Sequence, residues 1–555
     1  MTPRVPHPDE PSGPDTPGGP ASPPGPPPAG TGPAAVAMGD RHVGSGGTDG
    51  GPGAAAGSAN WVEVRVGAYH DSVTLMRVSR GLGELDGVGR AMVAMGTELN
   101  RDLIAGMGFD VPPRTGPGDL VIAVRGDPGA LDAARAHLEN ALAAAPTSGA
   151  AHTAPAARTV AAAVRAGTLA GTAPALALVS VPGEYAFAEA MDAIEAGIDV
   201  MVFSDNVPVA QEVALKRAAA RRGRLVMGPD CGTAIVAGTA LGFANVTRPG
   251  RVGVVAASGT GAQQVVCLLD EAGVGISHVL GVGGRDLSAE VGGLSTLAAL
   301  DALDADPATE LIMLLSKPPD PRVAATVRAH AQGLRTPVRD TLLGTGGVDL
   351  AAATRGILDA LGVPAPEWPV WPGPGQRPRA GALRGLFAGG TLCVEALTIA
   401  AERLGRVRAN LPAPGDAWLP LPDDLRADGH LMIDFGDDRL TRGRAHPMID
   451  PTLRLERIAA EGADPACAVL LLDVVLGHGA DPDPAGTLGP AIAAARRTAG
   501  ADGRDLAVVV ALIGASGDPQ DRDRTAEILA DAGARVFACN ADAARHAASL
   551  IEPAS

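Results

Sequence analysis

The sequence predicts a multi-domain α/β protein built on parallel sheets, and three observations carry that prediction. Beyond about residue 176, short apolar runs alternate with helical patterns, the order of strand–helix–strand units. Several runs, 468–475 among them, are apolar almost throughout, as strands covered on both faces are. Hydrophobic residues make up 46% of the chain but aromatic residues only 2%, with 74 glycines, and such small residues let helices lie close on a sheet. The 555 residues suffice for three or four cores.

Residues 1–59 contain no Ile, Leu or aromatic residue. They cannot bury enough apolar surface to offset chain entropy, so a disordered Pro/Gly-rich tail is expected. Residues 60–145 read as a small α/β, ferredoxin-like domain: alternating strand 61–66, helix 72–85, strand 91–95, short helix 101–106, strand 120–124 and helix 130–144. Residues 146–157 are a linker. The 158–247 block places helices 185–196 and 209–221 between strands 176–181, 200–203 and 225–227. The 248–362 block runs strand 251–256, helix 262–271, strand 278–280, helix 294–304, strand 311–315 and helix 322–332. A Pro/Trp-rich linker, 363–378, precedes the last block, 379–555. There helices 391–404, 451–461, 489–499 and 522–531 interleave with strands 431–434, 468–475, 507–512 and 535–538, and a final helix starts at Ala541.

A net charge of −17 and a pI near 5.1 argue against nucleic acid as the main partner. No apolar run reaches the roughly 20 residues of a membrane span, and the N-terminus lacks a signal-peptide core. The five cysteines (Cys231, Cys267, Cys393, Cys467, Cys539) form no C-x-x-C pair, which suits reduced thiols in a cytoplasmic protein. Lysine occurs only at 216 and 317, which singles out Lys317 in the run Leu314-Leu-Ser-Lys-Pro-Pro-Asp320.

Two segments read almost alike: Ala257-Ser-Gly-Thr-Gly-Ala-Gln-Gln264 and Ala388-Gly-Gly-Thr-Leu-Cys-Val-Glu395. Each ends a short run at a small-residue loop and then opens an apolar helical pattern. Glycines let the backbone approach a ligand, and unpaired N–H groups with the helix dipole favour an anion. Ser258, Gly259 and Thr260 with Gly389, Gly390 and Thr391 are therefore candidates for holding one phosphoryl or carboxylate group between two helices, although ordinary capping uses the same residue types. His478, between two glycines in Leu476-Gly-His-Gly-Ala480, is a candidate base or transient phosphoryl acceptor, with Asp473, Asp481 and Asp483 as orienting or metal-binding acids. Gly228 and Asp230 in Met227-Gly-Pro-Asp-Cys-Gly-Thr233, and Asp205 and Asn206 in Phe203-Ser-Asp-Asn206, end strands where a crevice opens, or simply form turns and caps. Arg285 and His446 are candidate anion-binding and acid–base groups. Cys231 and Cys393 fall inside the loop motifs, near helix starts that depress a thiol pKa.

These motifs carry a family resemblance. Ser258-Gly-Thr260, Gly281-Val-Gly-Gly284 and Asp306-Pro-Ala-Thr-Glu-Leu311 resemble the ligase half of the succinyl-CoA synthetase α subunit. The block before them is similar to the rear of that subunit's CoA-binding domain, and 379–555 to the carboxyl-terminal domain of the β subunit. The resemblance implies flavodoxin/Rossmann-like units of succinyl-CoA ligase type and two helices aimed at a phosphohistidine, here starting at Ser258 and Gly389. More closely, Phe203-Ser-Asp-Asn-Val207, Gly284-Arg-Asp-Leu-Ser288 and Leu476-Gly-His-Gly-Ala480 resemble FdrA proteins over about residues 61–550. Those are labelled acyl-CoA synthetases and linked to oxamate carbamoyltransferase of allantoin degradation, which needs companion subunits.

This chain departs from that pattern. The stretch 161–171, where a CoA-binding block would carry a Gly-rich phosphate loop, is mostly Ala, and 337–347 holds no histidine where the α subunit has its own. No stretch offers an ATP-grasp domain. The expected function is thus handling of an acyl or carbamoyl phosphate, with carbamoyl transfer to or from oxamate first, acyl-CoA synthesis second and a non-catalytic anion-binding scaffold third. No cofactor follows from these residues: CoA binding lacks its loop, and a divalent metal is left open.

Overall fold

The computed structural model describes residues 58–68, 70, 72–144, 157, 159–342, 348–413, 416–441 and 444–552. The expected tail, most of the 146–157 linker and residues 343–347 lie outside them. Among the described residues the chain is a mixed α/β structure with four sheets, two of them large and mainly parallel.

The first sheet orders its three strands Ala59–Arg65, Leu120–Gly126, Val88–Met95, all antiparallel, with helices Ser72–Gly83 and Pro128–Ala144 on one face. The second is parallel and small: Leu176–Val179, Asp199–Val202, Val226–Met227.

The third sheet has six strands in the order Val338–Leu342, Leu311–Ser316, Pro249–Ala257, Ile276–Gly281, Thr233–Val236, Thr239–Gly242. Its last two strands form an antiparallel hairpin that the sequence reading did not contain. The hairpin turns through Ala237 and Gly238, both at positive φ, the geometry that matches strand twist in a two-residue turn. The Val338–Leu342 strand and the helix Leu350–Ala360 are likewise additions.

The fourth sheet has eight strands: Val370–Trp371, Ala534–Phe537, Ala507–Ile513, Cys467–Val475, Ala382–Phe387, His430–Asp434, Val407–Ala409, Leu419–Pro420. Every residue of Cys467–Val475 is buried, as its apolar run predicts for a central parallel strand. Ala382–Phe387 was not legible as a strand because Arg384 and Gly385 break its apolar run. Arg384 is 2% exposed and its charge is met by Glu461 and Asp464. The Pro/Trp-rich segment is no loose connector: Val370 and Trp371 pair with Phe537 and Val536, Trp368 is buried, and the Arg522 guanidinium lies over the Trp371 ring at 5.6 Å.

In both large sheets one strand lies between two strands that both follow it in the chain. These are Pro249–Ala257, between Ile276–Gly281 and Leu311–Ser316, and Ala382–Phe387, between His430–Asp434 and Cys467–Val475. Such switch points open a crevice beyond the strand ends. The two glycine-hydroxyl loops leave from these two strands. The helices they open, Gly259–Glu271 and Gly390–Leu404, share one hydrophobic core that includes Val265, Leu268, Leu392 and Ala396. No helix among the described residues is long and apolar enough to cross a membrane.

Candidate functional site

The shared core brings the two helix starts together. Ser258 caps its own helix by accepting from the Gly261 N–H at 3.2 Å, and its hydroxyl also meets the Thr391 hydroxyl at 2.7 Å. Both side chains are buried. Approach is close enough to require glycine: a Cβ on Gly389 would stand 2.8 Å from Thr260 Oγ1, and one on Gly261 would stand 2.9 Å from Thr391 Cγ2.

Not every donor of the second loop is free. The Ala388 and Gly389 N–H groups each donate at 2.8 Å to Asp473, a fully buried carboxylate paired with Arg454 at 2.9 Å. Gly389 caps the helix without a side-chain bond, so the N–H groups of Gly390, Thr391 and Leu392 remain for a ligand. The aspartates nearest His478 in sequence are thus accounted for elsewhere. Asp473 holds the loop, Asp481 pairs with Arg80, and Asp483 caps the Pro484–Ala501 helix. Among the described residues no group of three or more His, Cys, Asp and Glu is arranged to hold a metal.

Two charged residues border Gly390. A Cβ there would stand 2.5 Å from Asp434 Oδ2 and 3.5 Å from Lys317 Nζ. Lys317 follows the Leu311–Ser316 strand, and its ammonium takes no hydrogen bond among the described residues. Burial pushes the Asp434 carboxyl up to about 7 against the pull of Lys317. The charge of Lys317 also reaches Asp230, an exposed residue whose carboxyl is raised to about 7 by desolvation, opposed by Lys317. Asp205 is raised mainly by desolvation and also by the charge of Asp438, which acts on Asp230 as well. Asp205 and Asn206 do not cap the following helix, whose N-cap is Pro208. Gly228 is needed as glycine, since at φ +89° a Cβ would strike Val202 O at 2.4 Å.

Arg285 is fixed by Glu212 at 3.1 Å and by Val207 O at 2.8 Å. Glu212 in turn pairs with Lys216, a lysine with no exposed side-chain surface that also reaches Asp286 at 2.7 Å and Val282 O at 2.9 Å. Sequence reasoning passed over Lys216. Its only signal was position: Glu212 and Lys216 stand four apart on one helix.

His446 and His478 part company. His446 Nε2 stands 3.0 Å from the Cβ position of Gly436, beside Asp434 Oδ1 and Ala388 O. Its Nδ1 accepts from the Met448 N–H at 3.3 Å, which puts the proton of the neutral ring on Nε2, facing the crevice. Desolvation holds its pKa down to about 4. His478 is exposed. Its backbone bridges to Ala244, and no hydrogen bond joins its imidazole to either loop among the described residues. Cys231 and Cys393 are buried, and burial pushes Cys231 up to about 12 and Cys393 well above the ordinary thiol value, the reverse of an activated nucleophile.

The N-terminal domain reaches this region too. Arg80 donates to Ile449 O at 2.7 Å, to Asp481 at 2.8 Å and to Thr487 at 3.2 Å, while Arg77 donates to Gly479 O at 2.9 Å. One helix of that domain thereby ties the turn after His446 to the loop after His478.

Residues 386–550 match the CoA-ligase family, and residues 58–158 match the AllF heavy metal-associated domain. That second stretch contains no cysteine, so it offers no thiolate pair for a soft metal. Gly183, which opens the helix after the first strand of the 176–227 sheet, lies against the 205–206 backbone, with Asp205 O 2.2 Å from its Cβ position, so that helix start needs glycine. The α-2 subunit of the mitochondrial ADP-forming succinate–CoA ligase of Trichomonas vaginalis is 32% identical over 25% of this chain. The match spans 46% of that subunit's own length. The dinucleotide-forming acetyl-coenzyme A synthetase 1 of Ca. Korarchaeum cryptofilum aligns over 68% of this chain and 82% of its own, at 16% identity and a TM-score of 0.25. Over 85% of this chain and 95% of the relative, the sequence is 38% identical to the uncharacterized protein YahF of Escherichia coli K12. The chain therefore belongs to the family of YahF, with a CoA-ligase domain as its carboxyl-terminal unit.

Proposed function

We propose that this chain performs the phosphoryl half-reaction of a CoA-ligase-type enzyme. It takes a small acyl phosphate and exchanges its phosphoryl group with a carboxylate. The observation that carries this reading is the 2.7 Å contact between Ser258 and Thr391, which aims two helix starts at one point beside Lys317, whose ammonium has no hydrogen-bond partner among the described residues. Donors fixed in advance stabilise the charge that spreads over the phosphoryl oxygens in the transition state, without reorganising. Thr260 and the N–H groups of Gly259, Gly390 and Thr391 would hold those oxygens, and Lys317 would offset their charge. Arg285, Asp230, Asp205 and Asn206 would line the wall that takes the acyl end, His446 would offer an N–H donor, and His478, exposed, would meet an incoming second substrate. The family match supports ligase chemistry ahead of carbamoyl transfer. Carbamoyl phosphate nevertheless matches acetyl phosphate in size and charge, so the same cradle would hold it. Companion subunits would supply the rest of a full cycle, and five buried free thiols suit a reducing compartment such as the cytoplasm.

The test is isotope exchange by the full chain: labelled acetate into acetyl phosphate, and labelled bicarbonate with ammonia into carbamoyl phosphate, each with and without CoA. Exchange with acetate that falls at least tenfold in Ser258→Ala/Thr391→Val supports the reading. Phosphate release from carbamoyl phosphate that requires oxamate, with no acetate exchange, would move the assignment to carbamoyl transfer. Tight phosphate binding without any exchange would leave an anion-binding scaffold.

A further inference from the structure

The residue that accepts the phosphoryl group is unassigned, and neither histidine of the region is held against the loops by a hydrogen bond among the described residues. The nucleophilic lone pair of neutral His446 is on Nδ1, which is turned to the Met448 N–H, and the His478 ring makes no hydrogen bond with either loop among the described residues. Both Asp473 oxygens are engaged by the loop and Arg454.

Asp434 differs from all three. It ends the His430–Asp434 strand, in register with Phe387 of the strand that feeds the second loop. Its backbone is held on both sides by the Asn410 amide, at 2.9 and 2.8 Å. Oδ1 accepts from the Gly436 N–H at 2.8 Å, which fixes the plane of the carboxylate. The residue is only 5% exposed, yet Oδ2 takes no hydrogen bond among the described residues. That free oxygen points at the start of the Gly390–Leu404 helix, 2.5 Å from the Cβ position of Gly390, with Lys317 Nζ 3.5 Å from the same position. A buried carboxylate with one oxygen clamped and the other open, set against a helix start and an ammonium, has the parts an aspartyl phosphate needs: nucleophile, oxyanion donors and a counter-charge.

We infer that Asp434 is the covalent acceptor of this site. Oδ2 attacks the phosphorus of a bound acyl phosphate to form an aspartyl phosphate. The Oδ2–P bond forms as the bond from phosphorus to the acyl oxygen breaks, and the carboxylate leaves with that electron pair. No proton moves and the total charge is unchanged. The reverse step returns the phosphoryl group to an incoming carboxylate. The inference rests on the phosphoryl half-reaction proposed above.

The test uses the full chain with acetyl [32P]phosphate, quenched within milliseconds to seconds, and with inorganic phosphate binding measured in parallel by titration calorimetry. An acid-stable, hydroxylamine-labile label that borohydride converts to homoserine at position 434 is the expected result. Asp434→Asn, whose Oδ1 still accepts from Gly436, should lose at least 95% of the label while binding phosphate. An acid-labile, alkali-stable label on histidine overturns the inference, as does a label undiminished in Asp434→Asn. Phosphate binding without label in the wild type overturns it while leaving the anion site standing. Absence of both binding and label overturns the underlying reading as well. Wild-type trapping decides the matter even if the variant fails to fold.

Discussion

At the scale of single residues, the site pairs groups legible in the sequence with groups that are not. The serine and threonine of the twin loops stand out because the two segments repeat. Asp434, in contrast, follows an ordinary apolar strand, and nothing in its neighbourhood marks it before the fold brings Gly390 and Lys317 beside it. The buried contact between Ser258 and Thr391 should couple the two residues by about 1 kcal/mol in a double-mutant cycle of Ser258→Ala and Thr391→Val, read by urea unfolding. The titrating groups act in opposite directions. His446 is held neutral down to about 4, so the unfolded chain takes the proton first near 6.5. Its contribution is whole above 6.5 and is lost as pH falls toward 4. For Asp434 and Glu395, both raised to about 7, the folded chain keeps protons that the unfolded chain has shed. Their contribution is whole near pH 4 and is lost as pH rises through 7. His446→Gln should therefore lose less stability than the wild type between pH 7.5 and 5, measured by denaturant midpoints.

At the scale of elements, strands and helices with clean periodicity follow the sequence closely, and the misses have physical causes. The strand Ala382–Phe387 hides because its arginine is buried among acids that lie far along the chain, and the hairpin at 233–242 because its strands are only four residues long. The second loop also differs from a bare anion cradle, since Asp473 consumes its first two donors. The working end of that loop thus begins at Gly390. Gly390→Ala should weaken phosphate binding at least tenfold while changing the unfolding midpoint little, because Asp434 and Lys317 must move aside for the methyl group. Calorimetric titration with inorganic phosphate, beside a denaturation curve, separates the two effects.

At the scale of the whole molecule, buried charges join the shared apolar core in tying the units together, and sequence periodicity does not register such ties. Lys216 joins Glu212 of one unit to Asp286 of the next with no solvent at its side chain. Lys216→Met leaves the buried Asp286 without its cation and Glu212 with Arg285 alone, and should cost about 3–5 kcal/mol of unfolding free energy. Arg80 is the longest of these ties, and its removal by Arg80→Ala should speed amide exchange in 446–450 and 477–487 first. The span of that tie has a consequence in time. Arg80 and Asp481 are 401 residues apart, and 337 residues (481 − 144) follow the last helix of the N-terminal domain, so on a ribosome that domain is finished roughly 17–67 seconds before its anchor emerges. Throughout that interval its guanidinium has only Glu84, four residues along at 2.8 Å, to meet, and its remaining N–H groups are open to whatever else in the cell presents a carboxylate.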